Sequence, residues 1–282
     1  MSARVTDWMT TLSRLLVLLV LATNIFGCSL MRSSVAALKS TAEFVPTGTD
    51  RRVFAEPGAE DVATVAAKEL AEAIATVERE QHGPFAGPVE VYVTRDEESF
   101  AAFTGVPKEV RGAVILKIFL SGGLRKEPDR IRRILTHELS HLHLGQRLGM
   151  VYGYNATLPS WFQEGLAVVV SGGGGAEKMS EEGAVEAILK GKSIIPEANG
   201  SFFFKKFANS YGLTPPMFYR QSGMFVAHLQ RLDEARFRSF LLAIKDGHGF
   251  GDSFAKSYGM GVDEAWQQFT ERFKRRQPSA HL

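Results

Sequence analysis

The sequence predicts an α+β protein: a small mixed sheet with its helices in the first half, then an all-helical lobe. Strand-like alternation is confined to segments before residue 121, whereas the long segments from Pro128 onward space their apolar residues three and four apart. Strands first and helices afterward is the order of an α+β chain, not of a doubly wound sheet, and no internal repeat divides the sequence.

At the N-terminus, Arg4 and Arg14 precede an apolar stretch, Leu15 to Phe26, interrupted only by Thr23 and Asn24. About a dozen residues is short for a bilayer span and suits the apolar region of a secretory signal. The stretch ends in Ile25-Phe26-Gly27-Cys28, and Cys28 is the only cysteine. It resembles a bacterial lipobox, with Phe26 where a small or modest aliphatic residue is usual. The resemblance implies a signal peptide over 1–27, diacylglycerol on Cys28, and a protein held at the cell envelope. Ser29 after the cysteine implies the outer membrane, facing the periplasm. An uncleaved signal anchor with a coincidental cysteine is the alternative. With Cys28 acylated, no disulfide and no reactive thiol remain.

Residues 28–50 mix Ser, Thr, Gly and Pro without apolar register and read as the lipidated cysteine and its tether. Arg51 to Ala55 reads as a short strand, and Glu60 to Gln81 as an amphipathic helix rich in Ala, Glu and Val. Gly83, Pro84, Gly87 and Pro88 mark a loop before the alternating strand Val89 to Val93. Asp96 to Phe103 is a short helix, and Ala113 to Leu120 a single strand closed by Gly122-Gly123. Helices follow over Pro128 to Leu148 and, started by Pro159, over Pro159 to Val170. Gly172 to Gly175 must be a flexible loop, either a lid or plain surface. Glu181 to Leu189, Pro215 to Leu232, Glu234 to Asp246 and Val262 to Arg275 complete the helical half. The expected division is a lobe over 51–150 and a helical lobe over 151–282.

Composition narrows the function classes. Lys and Arg number 33 against 31 Asp and Glu, and the one basic cluster, Lys274-Arg275-Arg276, reads as a solvated helix end. A nucleic-acid binder would carry a far heavier basic face.

The feature that carries chemistry is His137-Glu138-Leu139-Ser140-His141 on the long helix. Positions i and i+4 share a helix face one turn apart, so both imidazoles can reach one ion. Zinc takes imidazole nitrogen at about 2.0–2.1 Å and, in catalytic sites, three protein ligands plus water. Glu138 is turned off that line, where it can serve the metal-bound water as general base. A third ligand is available in Glu164, 23 residues after His141 and flanked by Trp161, Phe162, Leu166 and Val168. A carboxylate among such neighbours is costly to bury uncompensated, and coordinating a divalent cation is one compensation.

Together His137-Glu138-x-x-His141 and Pro159-x-Trp161-Phe162-x-Glu164-Gly165-Leu166-Ala167 resemble the gluzincin clan of zinc metallopeptidases, specifically the bacterial peptidase-MA-like families. Tyr219 to Val226 and Tyr258 to Trp266 resemble the later helices of those families, so the likeness spans roughly Arg51 to Arg275. It implies a thermolysin-like, zincin fold in which the strand before the metal helix is an edge that pairs with extended peptide substrate. It also implies an aromatic hydroxyl or a His at the oxyanion, for which Tyr219 is the candidate, with Tyr211 behind it. The chain departs from the clan at Val168, where an acidic residue often orients a zinc histidine. His137 must therefore find another partner or a backbone carbonyl.

The remaining histidines carry weaker signals. His143 points off the ligand face, and His82, His228, His248 and His281 have no paired spacing and read as structural or exposed. Phe202, Phe203, Phe204 and Phe207 are expected in the core, with a substrate pocket or a membrane-facing patch as the alternatives. The expected activity is peptide hydrolysis outside the cytoplasm, with a peptide or protein substrate, membrane attachment through lipid, and no nucleic acid. The alternatives are a non-catalytic binding or assembly lipoprotein on the same fold, and zinc-dependent hydrolysis of a non-peptide amide or ester.

Overall fold

The computed structural model describes residues 39–150, 153–201 and 203–276. Cys28, the 1–27 segment, Phe202 and His281 lie outside them. Among the described residues no helix is long and apolar enough to cross a membrane.

The fold is α+β, as expected. Five strands, β1 (Val45–Pro46), β2 (Val53–Ala55), β3 (Val91–Val93), β4 (Gly112–Ile115) and β5 (Lys117–Leu120), form one mixed sheet in the order β1-β2-β3-β5-β4. The central pairs β2–β3 and β3–β5 are parallel, and the outer pairs are antiparallel. Register assigns the two faces. Val53, Val91 and Ile118 align across the strands and face the main core; Phe54, Tyr92 and Phe119 align on the other face. There Phe54 stacks on Tyr92 at 4.8 Å, and Phe44 and Phe100 close the smaller cluster.

Two sequence readings are corrected here. Val45–Pro46 pairs with β2 and Phe44 is buried, so the last part of the 28–50 tether belongs to the folded body. The strand expected over Ala113 to Leu120 is two strands that reverse at Leu116, whose φ of 61° lies in the left-handed region. A non-glycine residue rarely adopts it. The reversal makes β4, and not β5, an edge strand of the sheet; β1 is the edge on the other side.

Helix α1 (Glu60–Glu80) packs on the sheet, and α2 (Glu97–Thr104) is capped by Asp96, whose carboxylate accepts from the Ser99 N–H. Helix α3 (Ile131–Leu148) follows a 3-10 turn at Pro128–Arg130 and is buried against α1 through Leu135, Leu139 and Leu142. The short α4 (Gly153–Thr157) leads into α5 (Ser160–Val170). The remaining helices are α6 (Glu181–Leu189), α7 (Pro215–Leu232), α8 (Glu234–Lys245), α9 (Phe250–Tyr258) and α10 (Val262–Arg276). Helices α4 and α9 are not expected from the sequence.

Helices α5 and α7 approach almost to backbone contact. A Cβ on Gly165 would lie 2.6 Å from the Ser222 carbonyl oxygen, and one on Gly223 would lie 2.5 Å from Val168 Cγ1. Trp161 and Phe162, fully buried on α5, join Phe225, Phe240 and Phe250 in a run of edge-on and tilted ring contacts. Rings in such arrangements add roughly 0.5–1.5 kcal/mol per pair beyond the area they bury. This rigid α5–α7 pair fixes the position of Glu164.

Candidate metal centre

The two motifs meet. His137 and His141 lie one turn apart on α3 and Glu164 projects from α5, so three side-chain atoms that could hold a metal ion come together. His137 Nε2 is 3.0 Å from His141 Nε2, and Glu164 Oε2 lies 3.3 and 3.4 Å from those two nitrogens. Ligands held tetrahedrally at about 2.0–2.1 Å from one ion stand about 3.3 Å apart. The residues present therefore fit a small divalent cation with imidazole and carboxylate ligands.

The outer nitrogens of both rings are engaged. His137 Nδ1 is 2.9 Å from the Gly174 carbonyl oxygen, which can only accept. Nδ1 therefore carries a proton, which leaves Nε2, facing the cluster, as the ring atom that could coordinate an ion. The backbone carbonyl required by Val168 is thus found. Gly174 is itself positioned, because its N–H donates to Ser171 Oγ at 2.9 Å while that hydroxyl donates to the Ala167 carbonyl at 2.6 Å. The Gly172 to Gly175 segment supports the His137 ring rather than serving as plain surface or a lid. Val168, four residues after Glu164, is buried against Gly223 at the α5–α7 contact.

His141 Nδ1 is 2.7 Å from the Tyr154 hydroxyl. Tyr154, on α4, was not singled out in the sequence. Burial, reinforced by the charges of Glu164 and Glu138, holds its pKa well above that of a free phenol. Burial alone would raise the Glu164 pKa as well; the facing imidazoles of His141 and His137 outweigh it and hold this carboxyl well below the usual range.

Glu138 lies beside the cluster rather than in it. It is buried, and burial raises its pKa, helped by Glu164 and opposed by His137 and His141. Its carboxyl is set against the free edge of the sheet: a Cβ on Gly112 would stand 2.7 Å from both Glu138 Cγ and Oε1. Only glycine lets β4 come so close. Tyr219 packs its ring 6.1 Å from that of His137, and the charge of Glu164, with burial, raises its pKa well above the ordinary value. Tyr211 is elsewhere, donating to Glu197 at 2.6 Å.

Two open cavities meet at these residues. One, about 310 Å³, is lined by charged side chains including Arg111, Arg130 and Lys178. The other, about 350 Å³, has apolar walls from Val106, Ile115, Met150 and Phe207. Gly112, His137, Glu138 and Tyr219 line both, so the cleft continues on either side of the cluster along β4.

No protein-family model matches the chain, and no curated protein matches it.

The other histidines are placed apart from the cluster. His143 Nε2 bonds the Gly83 carbonyl at 2.9 Å, and His228 sits beside Arg272 and Phe269. The phenylalanine run is a correction. Phe203 and Phe204 are 76% and 78% exposed, and Phe207 is partly exposed at the cavity wall. What anchors this segment inward is Lys205. Its Nζ donates to Asn155 Oδ1 at 2.7 Å and to Gln163 Oε1 at 3.0 Å, and burial lowers its pKa to about 8. Sequence reasoning missed this residue.

Proposed function

We propose that this chain is a zinc-dependent metallopeptidase of thermolysin-like type, hydrolysing peptide bonds outside the cytoplasm while anchored to the bacterial envelope by lipid on Cys28. The observation that carries the reading is the convergence of His137, His141 and Glu164, with the Glu138 carboxyl and a free sheet edge opening onto the same cleft. Zinc held there would supply Lewis acidity, polarising a scissile carbonyl and bringing the pKa of a water toward about 7.

The protein's own groups perform the rest. The unpaired edge of β4 offers main-chain groups to an extended peptide, which lies past Glu138 and into both cavities. Glu138, with no hydrogen-bond partner among the described residues and a raised pKa, takes a proton from the attacking water and returns it to the leaving amine. Tyr219, kept neutral by the neighbouring carboxylates and by burial, donates its hydroxyl proton toward the developing oxyanion. Gly174 and Tyr154 hold the two imidazoles in orientation.

The test is metal content and peptide hydrolysis of the full chain in detergent, for wild type, Glu164→Ala and Glu138→Gln. The expected result is about one zinc per chain, lost in Glu164→Ala. In Glu138→Gln the zinc stays while hydrolysis falls by roughly 10²–10⁴-fold, the usual contribution of a positioned base. Zinc without hydrolysis of any peptide would leave a binding or assembly protein on this fold. No zinc after reconstitution would sink the reading.

A further inference from the structure

Lys205 lines the cleft, and the proposed chemistry leaves it unused. An ammonium has three donors, and two are spent on the neutral amide oxygens of Asn155 and Gln163. Among the described residues no carboxylate oxygen lies within 4.0 Å of it. A lysine half-buried at a cavity wall without a counter-ion gives up solvation that amide oxygens only partly restore.

The placement is built rather than incidental. Gln163, 2% exposed, directs its own amide N–H groups away, toward the Leu158 carbonyl at 2.7 Å, which leaves Oε1 turned to the lysine. It precedes Glu164 on the same rigid helix, so the ammonium is held at a fixed offset from the cluster. Nζ also lies 4.9 Å from the centre of the Phe207 ring. Lys205, Glu164 and His141 line the same 350 Å³ cavity, whose walls also include the apolar side chains of Val106, Ile115, Met150 and Phe207. Lys205 is the one lysine or arginine that lines this cavity, and a fixed cation with a donor to spare selects a group that is anionic and compact.

We propose that Lys205 is a specificity residue that receives a carboxylate of the substrate peptide, on an acidic side chain or at a free C-terminus, in the cavity beside the His137, His141 and Glu164 cluster. This rests on the peptidase reading of the site. The carboxylate takes the third ammonium donor and replaces solvent as its counter-ion. A charge-assisted hydrogen bond of this kind is worth roughly ten- to hundred-fold in affinity.

The experiment measures equilibrium binding of fluorescent peptides to full-length zinc-loaded Glu138→Gln protein, alone and combined with Lys205→Met or Lys205→Arg. The peptides form two matched pairs: Glu against Gln at one internal position scanned along the sequence, and free acid against amide at the C-terminus. The expected result is a preference of about ten-fold or more for the carboxylate in one pair, erased by Lys205→Met and largely kept by Lys205→Arg, with zinc content unchanged. The pair that shows it identifies the source of the carboxylate. Equal binding of both members in both pairs overturns the proposal even if Lys205→Met does not fold, because it is read on the Lys205 parent. Zinc binding and cleavage by the Glu138 protein would then leave the peptidase reading standing. A protein that neither binds nor cleaves any peptide overturns both.

Discussion

Replacing Gly112 with alanine puts one methyl group between the free edge strand and the Glu138 carboxyl. Its Cβ would lie 2.7 Å from Glu138 Cγ and Oε1 and 2.8 Å from Ile134 Cγ2, short by 0.6–0.7 Å of the 3.4 Å at which ordinary contact begins. The φ of Gly112 is not positive, so the conflict is steric and not conformational. Ile134 is buried with the core behind it and has little room to retreat. Glu138 faces the cleft and yields first. Overpacking costs about 1–3 kcal/mol, and the lost freedom of the unfolded chain returns about 0.4–1, for a net loss of about 1–2 kcal/mol. The effect on turnover is larger. A base displaced by half an ångström to one ångström loses on the order of 10²-fold. The three atoms nearest the new methyl group belong to Glu138 and Ile134 and not to His137, His141 or Glu164, so metal affinity is expected to hold. The assay is kcat/KM on a peptide substrate with zinc content and melting temperature measured on the same sample. Full activity with zinc bound would refute the placement of Glu138 as the base, and activity falling only in step with zinc would refute the separation of base from ligands.

Two further outcomes are expected. Tyr154→Phe removes the hydroxyl 2.7 Å from His141 Nδ1 and should weaken zinc binding by roughly 10–100-fold in chelator competition; unchanged affinity would remove Tyr154 from the site. Acid should destabilise the fold between about pH 6.5 and 4. Burial lowers the pKa of His143 to about 4, as burial and the neighbouring Arg272 do for His228, so across that window the unfolded chain binds protons that the folded chain refuses. Stability is therefore full above pH 6.5 and falls with pH, by up to about 3 kcal/mol for each group. His143 Nδ1 is buried without a partner, so a proton there would have no acceptor. Urea midpoints at pH 7 and 4.5 check this; a His143→Gln protein whose midpoint falls as steeply as wild type would count against it.

What was legible in the sequence was what regular spacing controls. His137 and His141 are a helical pair at i and i+4, and Glu164 stands out as a charge among Trp161, Phe162 and Leu166, so both could be seen before any contact was known. The residues that hold those ligands in place were not legible, because nothing local marks them. Gly174 acts through a carbonyl that every residue possesses, and Tyr154 lies on a five-residue helix too short to show periodicity. The turn at Leu116 lacks glycine, proline or asparagine, so an unbroken apolar run concealed a hairpin. Lys205 was hidden by its neighbours: a run of phenylalanines reads as core, yet the ammonium is the group that turns inward.

The position after Glu164 shows why such details follow packing. Helix α5 must present Glu164 to α3 on one side and lie almost in backbone contact with α7 on another. Gly165 and Gly223 permit that approach, and Val168 fills the space above Gly223. Val168 packs there on Gly223, at a cavity wall that it shares with Arg220, Arg231 and Arg272, so position 168 serves the α7 contact. Orientation of His137 therefore passes to a main-chain oxygen on the loop that leaves α5. Ser171 ties that loop to the last turn of the helix through the Ala167 carbonyl, so the same helix fixes the ligand Glu164 and, through its end, the support of His137. The departure at Val168 is thus met by a backbone acceptor anchored to the helix that carries it, and the ligand geometry does not depend on an acidic side chain at that place.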